Sequence, residues 1–372
     1  MTIQPYPILK PPTRILLGPG PSMIDPRVQQ AMTFLPIGHL DPFLLKLYEE
    51  EQELLRNVFQ TKNDWTFALS GTGTAGMEAA LANLIEPGDA VLVASHGYFG
   101  ERMVEIARRH GALVEQIARP WGQIFSVAEI ETALKKKKYK VFAIVHAETS
   151  TGAEQLHMAE IVAVAHRWGA LVVLDTVTSL GGIQVKVDEW GVDLAYSASQ
   201  KCLGAPSGLA PITVGPRAQE IIEKRTNPVM SFYLDLKLYA GYWNGSHSYH
   251  HTAPSSLHLA LREALRLVVE EGLEMRFTRH RENAMLLWDG LSTLGMQPFI
   301  PTEYRLPVLT TPNLPGGLNE ALIRKRLLDE FNIEIAGGFG ALKGKVWRIG
   351  LMGFSSQRGN VSLLLDAIKK LL

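Results

Sequence analysis

The order of apolar and polar residues divides most of the chain into alternating helices and short apolar strands. Asp41-Pro42 opens a helix, with an aspartate suited to the N-cap and a proline suited to the first turn. Leu44, Leu47, Leu54, Leu55 and Val58 then fall largely on one face. Thr66–Leu69 predicts a short strand, followed by the glycine-rich Ser70-Gly71-Thr72-Gly73-Thr74-Ala75-Gly76 and a helix over Met77–Ile85. Further strands are predicted at Ala90–Ala94, Val141–Val145, Leu171–Leu174 and Asp193–Tyr196, and helices at Gly100–His110 and His157–Trp168. Gly111 and Gly169 follow those two helices, where a glycine stop is favoured. Ser126-Val127-Ala128-Glu129 has capping-box spacing and starts another helix.

Apolar strands alternating with amphipathic helices predict an α/β fold with a mostly parallel central sheet flanked by helices. In such sheets ligands sit beyond the carboxyl ends of the strands, so the strand-end residues are the ones to inspect. From Tyr239 to Ser256 the pattern becomes polar and aromatic and reads as a loop. Helical patterns follow over Leu257–Leu273 and Arg276–Leu294. Strand Leu306–Thr310, helix Leu318–Phe331, strand Val346–Ile349 and helix Gln357–Leu371 then predict a smaller α+β unit. Three parts are expected: an N-terminal arm over 1–20, a large domain over 21–256 and a small C-terminal domain over 257–372.

Composition narrows the classes of function. The chain has 372 residues, 46% of them hydrophobic, enough for a real core. Lys+Arg and Asp+Glu are both 37, so the net charge is zero. A nucleic-acid binder working through bulk charge would show a basic excess, and none is expected here. No run reaches the ~18 apolar residues of a membrane span, and the Pro-rich start lacks a secretory apolar core. The expectation is a cytoplasmic protein without a membrane segment. One cysteine excludes an intrachain disulfide, and the 11 histidines show no metal spacing.

Gly71-x-Gly73-x-x-Gly76 follows a strand and opens a helix, which by letters is a dinucleotide fingerprint. That fingerprint also needs an acid at the end of the next strand to hold a ribose. Here that strand ends in Ala94-Ser95-His96. The NAD reading fails on this point, but a glycine-rich turn at a helix N-terminus still suits a phosphate. No G-x-S-x-G elbow supports a serine hydrolase. Asp175 closes the apolar strand Leu171–Leu174, and Lys201 stands beyond another strand end among Ser197, Ala198, Ser199, Gly204 and Ala205. A phosphate-binding turn, a strand-end aspartate and a strand-end lysine together meet the requirements of pyridoxal 5'-phosphate (PLP): the lysine holds the aldehyde, the carboxylate keeps the pyridine nitrogen protonated, and the helix end holds the phosphate.

With these residues in view the chain resembles the class V aminotransferases, and within them the alanine–glyoxylate / serine–pyruvate group. The match covers nearly the whole chain. It runs through Leu17-Gly18-Pro19-Gly20-Pro21-Ser22, Gly38-His39, Ser70-Gly71-Thr72-Gly73 with Glu78, Ala147-Glu148-Thr149-Ser150-Thr151-Gly152 and Asp175-Thr176-Val177-Thr178-Ser179-Leu180-Gly181-Gly182. It continues in Ser199-Gln200-Lys201, Ser231-Phe232-Tyr233-Leu234-Asp235, Tyr249-His250-His251-Thr252 and Arg348-Ile349-Gly350.

The resemblance implies the PLP-dependent transferase fold (fold type I) and a role for each matching position. It implies Lys201 as the Schiff-base lysine and Asp175 as the partner of the pyridine N–H. Phe99 stands where the family stacks an aromatic on the cofactor ring, several relatives carrying Trp there. Thr149 matches the hydroxyl beside the ring 3-oxygen, and Thr72, Gly73, Thr74 and Gln200 match phosphate-side positions. Tyr249 and Thr252 match residues that reach the phosphate of a neighbouring subunit, which implies a homodimer with shared active sites. Arg348 matches the arginine that grips the substrate carboxylate, and Gly18 and Gly20 line the substrate entrance. The implied reaction moves an amino group from a small amino acid, alanine or serine, to a 2-oxo acid, glyoxylate or pyruvate, by ping-pong steps. Two alternatives remain on the same fold: a cysteine desulfurase-like lyase, for which the only cysteine, Cys202, is badly placed beside Lys201, and a non-catalytic PLP-fold subunit.

Overall fold

Seven runs pair into one sheet: Trp65–Ser70 (β1), Ala90–Ser95 (β2), Leu113–Ala118 (β3), Val141–Val145 (β4), Leu171–Asp175 (β5), Leu194–Tyr196 (β6) and Leu209–Val214 (β7). They are seen in a computed structural model that describes residues 6–244 and 246–372. Residues 1–5 of the expected arm therefore lie outside the described residues. The spatial order is β1-β7-β6-β5-β4-β2-β3. The pairings from β6 through β5, β4 and β2 to β3 are parallel, and β7 runs antiparallel to both of its neighbours. Strands β4 and β5 are buried at every position, as expected of strands covered on both faces. One apolar cluster, including Phe67, Val93, Val173 and Tyr196, covers one face; another, including Ala68, Leu92, Phe142 and Leu174, covers the other. The register aligns Val145 with Asp175 and Asp175 with Tyr196, so these three residues end neighbouring strands at one level.

Helix Pro42–Phe59 (α1) starts at the predicted Asp41 cap, and Gly73–Leu84 (α2) and Tyr98–Arg109 (α3) follow the predicted order with shifted starts. The shift in α2 matters, because the helix begins at Gly73 and not at Met77. Gly73 and Thr74 thus lie in its first turn, where backbone N–H groups have no helical partner. The expected loop from Tyr239 to Ser256 is corrected at its start: Leu236–Trp243 is a helix (α4). Asp235 caps it, accepting from the N–H groups of Lys237 at 2.9 Å and Leu238 at 3.3 Å. Leu236, Tyr239, Ala240 and Trp243 form its buried stripe. Aromatic bulk on that stripe disguised a helical period.

Ser255–Glu271 (α5) places Ala260, Leu261, Ala264, Leu265 and Val268 in the core on the Phe142 face of the sheet. Beyond Gly272 come Leu273–Thr293 (α6), strand Leu309–Thr310 (β8), helix Glu320–Phe331 (α7), strands Ala336–Gly337 (β9) and Trp347–Gly350 (β10), and helix Arg358–Leu371 (α8). The three strands form a small antiparallel sheet in the order β8-β10-β9. Its core joins Leu287, Leu327, Trp347 and Leu364 to Leu17 from the chain's beginning. Ile15–Leu16 also pairs in parallel with Ile333–Glu334. Among the described residues no helix is long and apolar enough to cross a membrane.

Candidate active site

Lys201 lies in the loop that turns the chain from β6 into β7. Ser199 ties this loop down, its N–H donating to Leu209 O at 3.0 Å. The lysine side chain is buried, and its Nζ donates to the carbonyl of Pro19. The stretch Gly18–Ser22 lies against it, with Ser22 Oγ donating to Lys201 O at 2.9 Å and Ser22 N–H to Gln200 O at 2.9 Å. Gly20 has φ +103°, and a Cβ there would meet Lys201 Cδ at 2.8 Å and Nζ at 2.9 Å. Only glycine suits both that backbone and that approach. A Cβ on Gly18 would meet nothing within 4 Å, so Gly18 borders open space. Burial pulls the Lys201 ammonium down to about 8, with the positive field of Arg348 acting in the same direction.

Asp175 is buried at the end of β5. Its Oδ1 accepts from Val177 N–H at 2.8 Å and its Oδ2 from the Tyr196 hydroxyl at 2.7 Å. Burial pushes this carboxyl up to about 6 against those two donors, and the carboxyl of Glu148 adds to the rise. A carboxylate in such a place calls for a proton or a cation. Thr149 is buried in the turn after β4, and its hydroxyl bonds that of Thr178.

The N-terminus of α2 meets the lysine loop, because a Cβ on Gly73 would come within 2.8 Å of Ala198 Cβ. Thr72 and Thr74 are exposed on either side of Gly73. Gln200 carries a buried Oε1 with no hydrogen-bond partner. Phe99, half-buried on α3, packs edge-on to Tyr98 at 5.6 Å. Arg102, one turn on, lies over both rings (4.9 Å from the Phe99 centroid) and donates to Thr74 Oγ1 at 3.1 Å. Arg102 had not been singled out in the sequence.

Arg348 projects from β10. Its Nε donates to Gly337 O at 3.0 Å and its guanidinium lies 4.3 Å from the Phe339 ring centroid. Among the described residues it forms no salt bridge. Burial pulls it down to about 10, opposed by the negative field of Glu148. Phe339 meets Tyr98 edge-on at 4.8 Å and Trp121 at 5.9 Å. These three aromatics were missed in the sequence, since the contact joins α3 to a turn some 240 positions later. Tyr249 and Thr252 are not brought to this cluster. Both are exposed, and among the described residues their hydroxyls bond each other at 3.4 Å.

Glu148 is a second buried acid of the site. Burial raises it, while the Ser150 hydroxyl and N–H and the N–H groups of Gly100 and Phe99 pull it back. Cys202 is fully buried, donates from Sγ to Thr178 O at 3.4 Å, and burial pushes its thiol up to about 12. That is an inert thiol. Burial keeps His96 and His146 neutral, at about 4 and about 3. Among the described residues no group of three or more metal-ligating side chains occurs.

These residues fit PLP. A desolvated carboxyl suits a ring N–H, a buried lysine reaches out where glycine makes room, and a helix N-terminus with unpaired N–H groups adjoins the lysine loop.

Known proteins place the chain in the same company. The family model for Aminotransferase class-V matches residues 37–354. The (S)-ureidoglycine--glyoxylate transaminase of Bacillus subtilis is 41% identical, over 97% of this chain and 91% of its own. The alanine--glyoxylate aminotransferase of Mus musculus is 40% identical, over 98% of this chain and 89% of its own. The crystal structure of the alanine--glyoxylate aminotransferase of Nostoc sp. superposes with a TM-score of 0.97 at 48% identity, covering 100% of both chains. The α/β fold around a mixed sheet is therefore that of the PLP-dependent aminotransferases, and this chain belongs to the class V aminotransferases.

Proposed function

We propose that this transaminase moves the amino group of alanine or serine to glyoxylate, with pyruvate as the alternative acceptor, through Lys201. The observation that carries the reading is Arg348: a half-buried guanidinium, free of any salt bridge among the described residues, whose charge acts on Lys201. Guanidinium matches a planar carboxylate through two parallel hydrogen bonds. The neighbouring Arg324 is already paired with Glu320 at 2.7 Å. An acidic side chain on the substrate thus finds Arg324 engaged, and a small one suits the aromatic wall of Tyr98, Phe339 and Trp121.

When bound, PLP supplies an aldehyde that takes up amino groups and a ring that accepts the electron pair left at the substrate α-carbon. Lys201 Nζ would hold the cofactor in the resting enzyme and, once freed, would serve as the base that takes and returns the substrate α-proton. Burial keeps Nζ easier to deprotonate than a surface lysine, which suits a base. Asp175 Oδ2, oriented by Tyr196, holds the proton on the ring nitrogen. Phe99 lies against the ring, Thr149 serves its 3-oxygen, and Thr72, Gly73, Thr74 and Gln200 hold the phosphate. Release of the 2-oxo acid and binding of a second one at Arg348 give ping-pong kinetics. Tyr249 and Thr252 reach the site of a second subunit, a role that suits two exposed hydroxyls bonded only to each other among the described residues.

The test is a donor–acceptor matrix with purified enzyme: alanine, serine and ureidoglycine against glyoxylate and pyruvate, with product oxo acids quantified. Turnover of alanine or serine with glyoxylate, with parallel lines in double-reciprocal plots, is expected. Turnover confined to ureidoglycine would overturn the donor assignment and leave the transaminase intact.

A further inference from the structure

Helix α3 carries Tyr98, Phe99 and Arg102, yet its own N-cap brings no side chain. That residue is Gly97, and no side-chain cap bond is made from it. A helix start leaves several N–H groups unpaired, and a bare cap costs stability. The missing acceptors come from the turn after β4. Ser150 Oγ accepts from Tyr98 N–H at 3.1 Å and donates to Glu148 Oε1 at 2.5 Å. Oε1 also accepts from Ser150 N–H at 3.0 Å. A Cβ on Gly97 would lie 2.5 Å from Glu148 Cδ and 2.5 Å from Ser150 Oγ, so the carboxyl occupies the space the glycine leaves. Glu148 is fully buried, has no salt bridge among the described residues, and keeps Oε2 without a hydrogen-bond partner. The positive end of a helix dipole is the favourable place for such a group.

We infer that Glu148 is a positioning residue for cofactor binding: with Ser150 it caps α3 from the neighbouring strand end and thereby fixes Phe99 against the ring. The triplet Glu148-Thr149-Ser150 then has two jobs. Its outer members hold the helix that carries the aromatic, and its middle member serves the ring oxygen. The two cofactor contacts share one rigid turn, with Glu148 O accepting from Thr151 N–H at 3.2 Å and Gly152 N–H at 2.8 Å. This inference rests on the reading that Phe99 stacks on the ring.

Apoprotein of the wild type, Glu148→Ala, Phe99→Leu and the double variant is titrated with PLP and followed by visible absorption and induced circular dichroism. Glu148→Ala is expected to weaken PLP about tenfold, the size of a lost charged hydrogen-bonding group. Phe99→Leu weakens it similarly, and the double variant is no worse than the weaker single one, since both act on the same contact. Glu148→Gln keeps the shape and falls between, with a dichroism band altered in the same sense as Phe99→Leu. Glu148→Gln also stands in if the alanine variant fails to fold. Fully additive losses in the double variant would overturn the positioning role and leave the stacking reading standing. Unchanged PLP affinity in Phe99→Leu would overturn the stacking reading, and the inference with it.

Discussion

Tyr196 Oη donates to Asp175 Oδ2 at 2.7 Å, from the residue placed directly opposite on the adjacent parallel strand. The partner of this strand-end aspartate is thus set by register. Burial raises both groups; Asp175 raises the Tyr196 hydroxyl further, while the bond from that hydroxyl pulls Asp175 back down. Tyr196 remains a donor at any physiological pH, so Asp175 is oriented by a group that never competes for its proton.

Removing that donor is the first test. Tyr196→Phe leaves a desolvated carboxyl one hydrogen bond short, which raises it further and loosens its hold on the ring nitrogen. Bonds to charged groups are worth about 1.5–3 kcal/mol, so kcat is expected to fall roughly 10–100-fold with little change in KM. The acid limb of the kcat pH profile should move upward. An unchanged limb would mean that Tyr196 only packs.

Lys201→Ala removes both the anchor and the base. The visible absorption of the bound cofactor should lose the band that reports attachment to the lysine, and turnover should drop by at least about a thousandfold, the scale of a positioned general base. Retained turnover would exclude Lys201 as the base.

Lys201 also predicts a pH signature in the apoprotein. Burial brings it to about 8 in the folded state against an ordinary 10.5, so the folded state resists protonation more than the unfolded one. The penalty of burying the ammonium is complete below pH 8 and gone above about pH 10.5, so stability rises with pH between them. Lys201→Met removes the group. Apo Lys201→Met should exceed apo wild type in urea unfolding free energy by up to about 3 kcal/mol at pH 7, with the gap closing towards pH 10.5. A gap independent of pH would contradict the buried, titrating amine.

Arg348→Lys keeps the charge and loses the planar fork. KM for both amino donor and oxo acceptor should rise roughly tenfold to a hundredfold, because a bidentate charged pair becomes a point contact. PLP affinity should stay unchanged, since the contacts Arg348 makes are to Gly337 O and the Phe339 ring. Loss of cofactor affinity would place Arg348 elsewhere in the mechanism.

Strand-end chemistry was legible in the sequence because a charged residue directly after four or five apolar ones is conspicuous. Asp175 announces itself that way, and Lys201 does so by standing beyond a strand end among the small residues Ser197, Ala198, Ser199, Gly204 and Ala205. Tyr196 did not, since an aromatic at the end of a strand looks like core until the register sets it against Asp175. Glu148 lay in a quoted motif without a role, because its partner turn at Tyr98–Gly100 is fifty positions away. Two strands escaped for local reasons. β7 carries Pro211 in mid-strand, which argues against a strand until Ser197 N–H is seen bonding Pro211 O at 2.7 Å. β3 is an edge strand with an exposed Leu113 and polar Glu115 and Gln116, so its pattern is not that of a buried run.

The pairing of Ile15–Leu16 with Ile333–Glu334 has a consequence for biosynthesis. Leu17 O accepts from Gly350 N–H at 2.8 Å, Leu16 O from the Ser355 hydroxyl at 2.7 Å, and Ser355 Oγ from Met23 N–H at 2.8 Å. The segment that presses on Lys201 is among the first to leave the ribosome, yet its strand and hydroxyl partners are among the last. The lysine loop and the central sheet can form while synthesis continues, but the wall that Pro19 and Gly20 give to Lys201 closes only after residue 355 has emerged. Domains generally fold in the order they are made, and a contact spanning more than 330 residues must form late. A ribosome-bound chain halted before β10 therefore carries Lys201 without the strand partners that hold Pro19 and Gly20 against it.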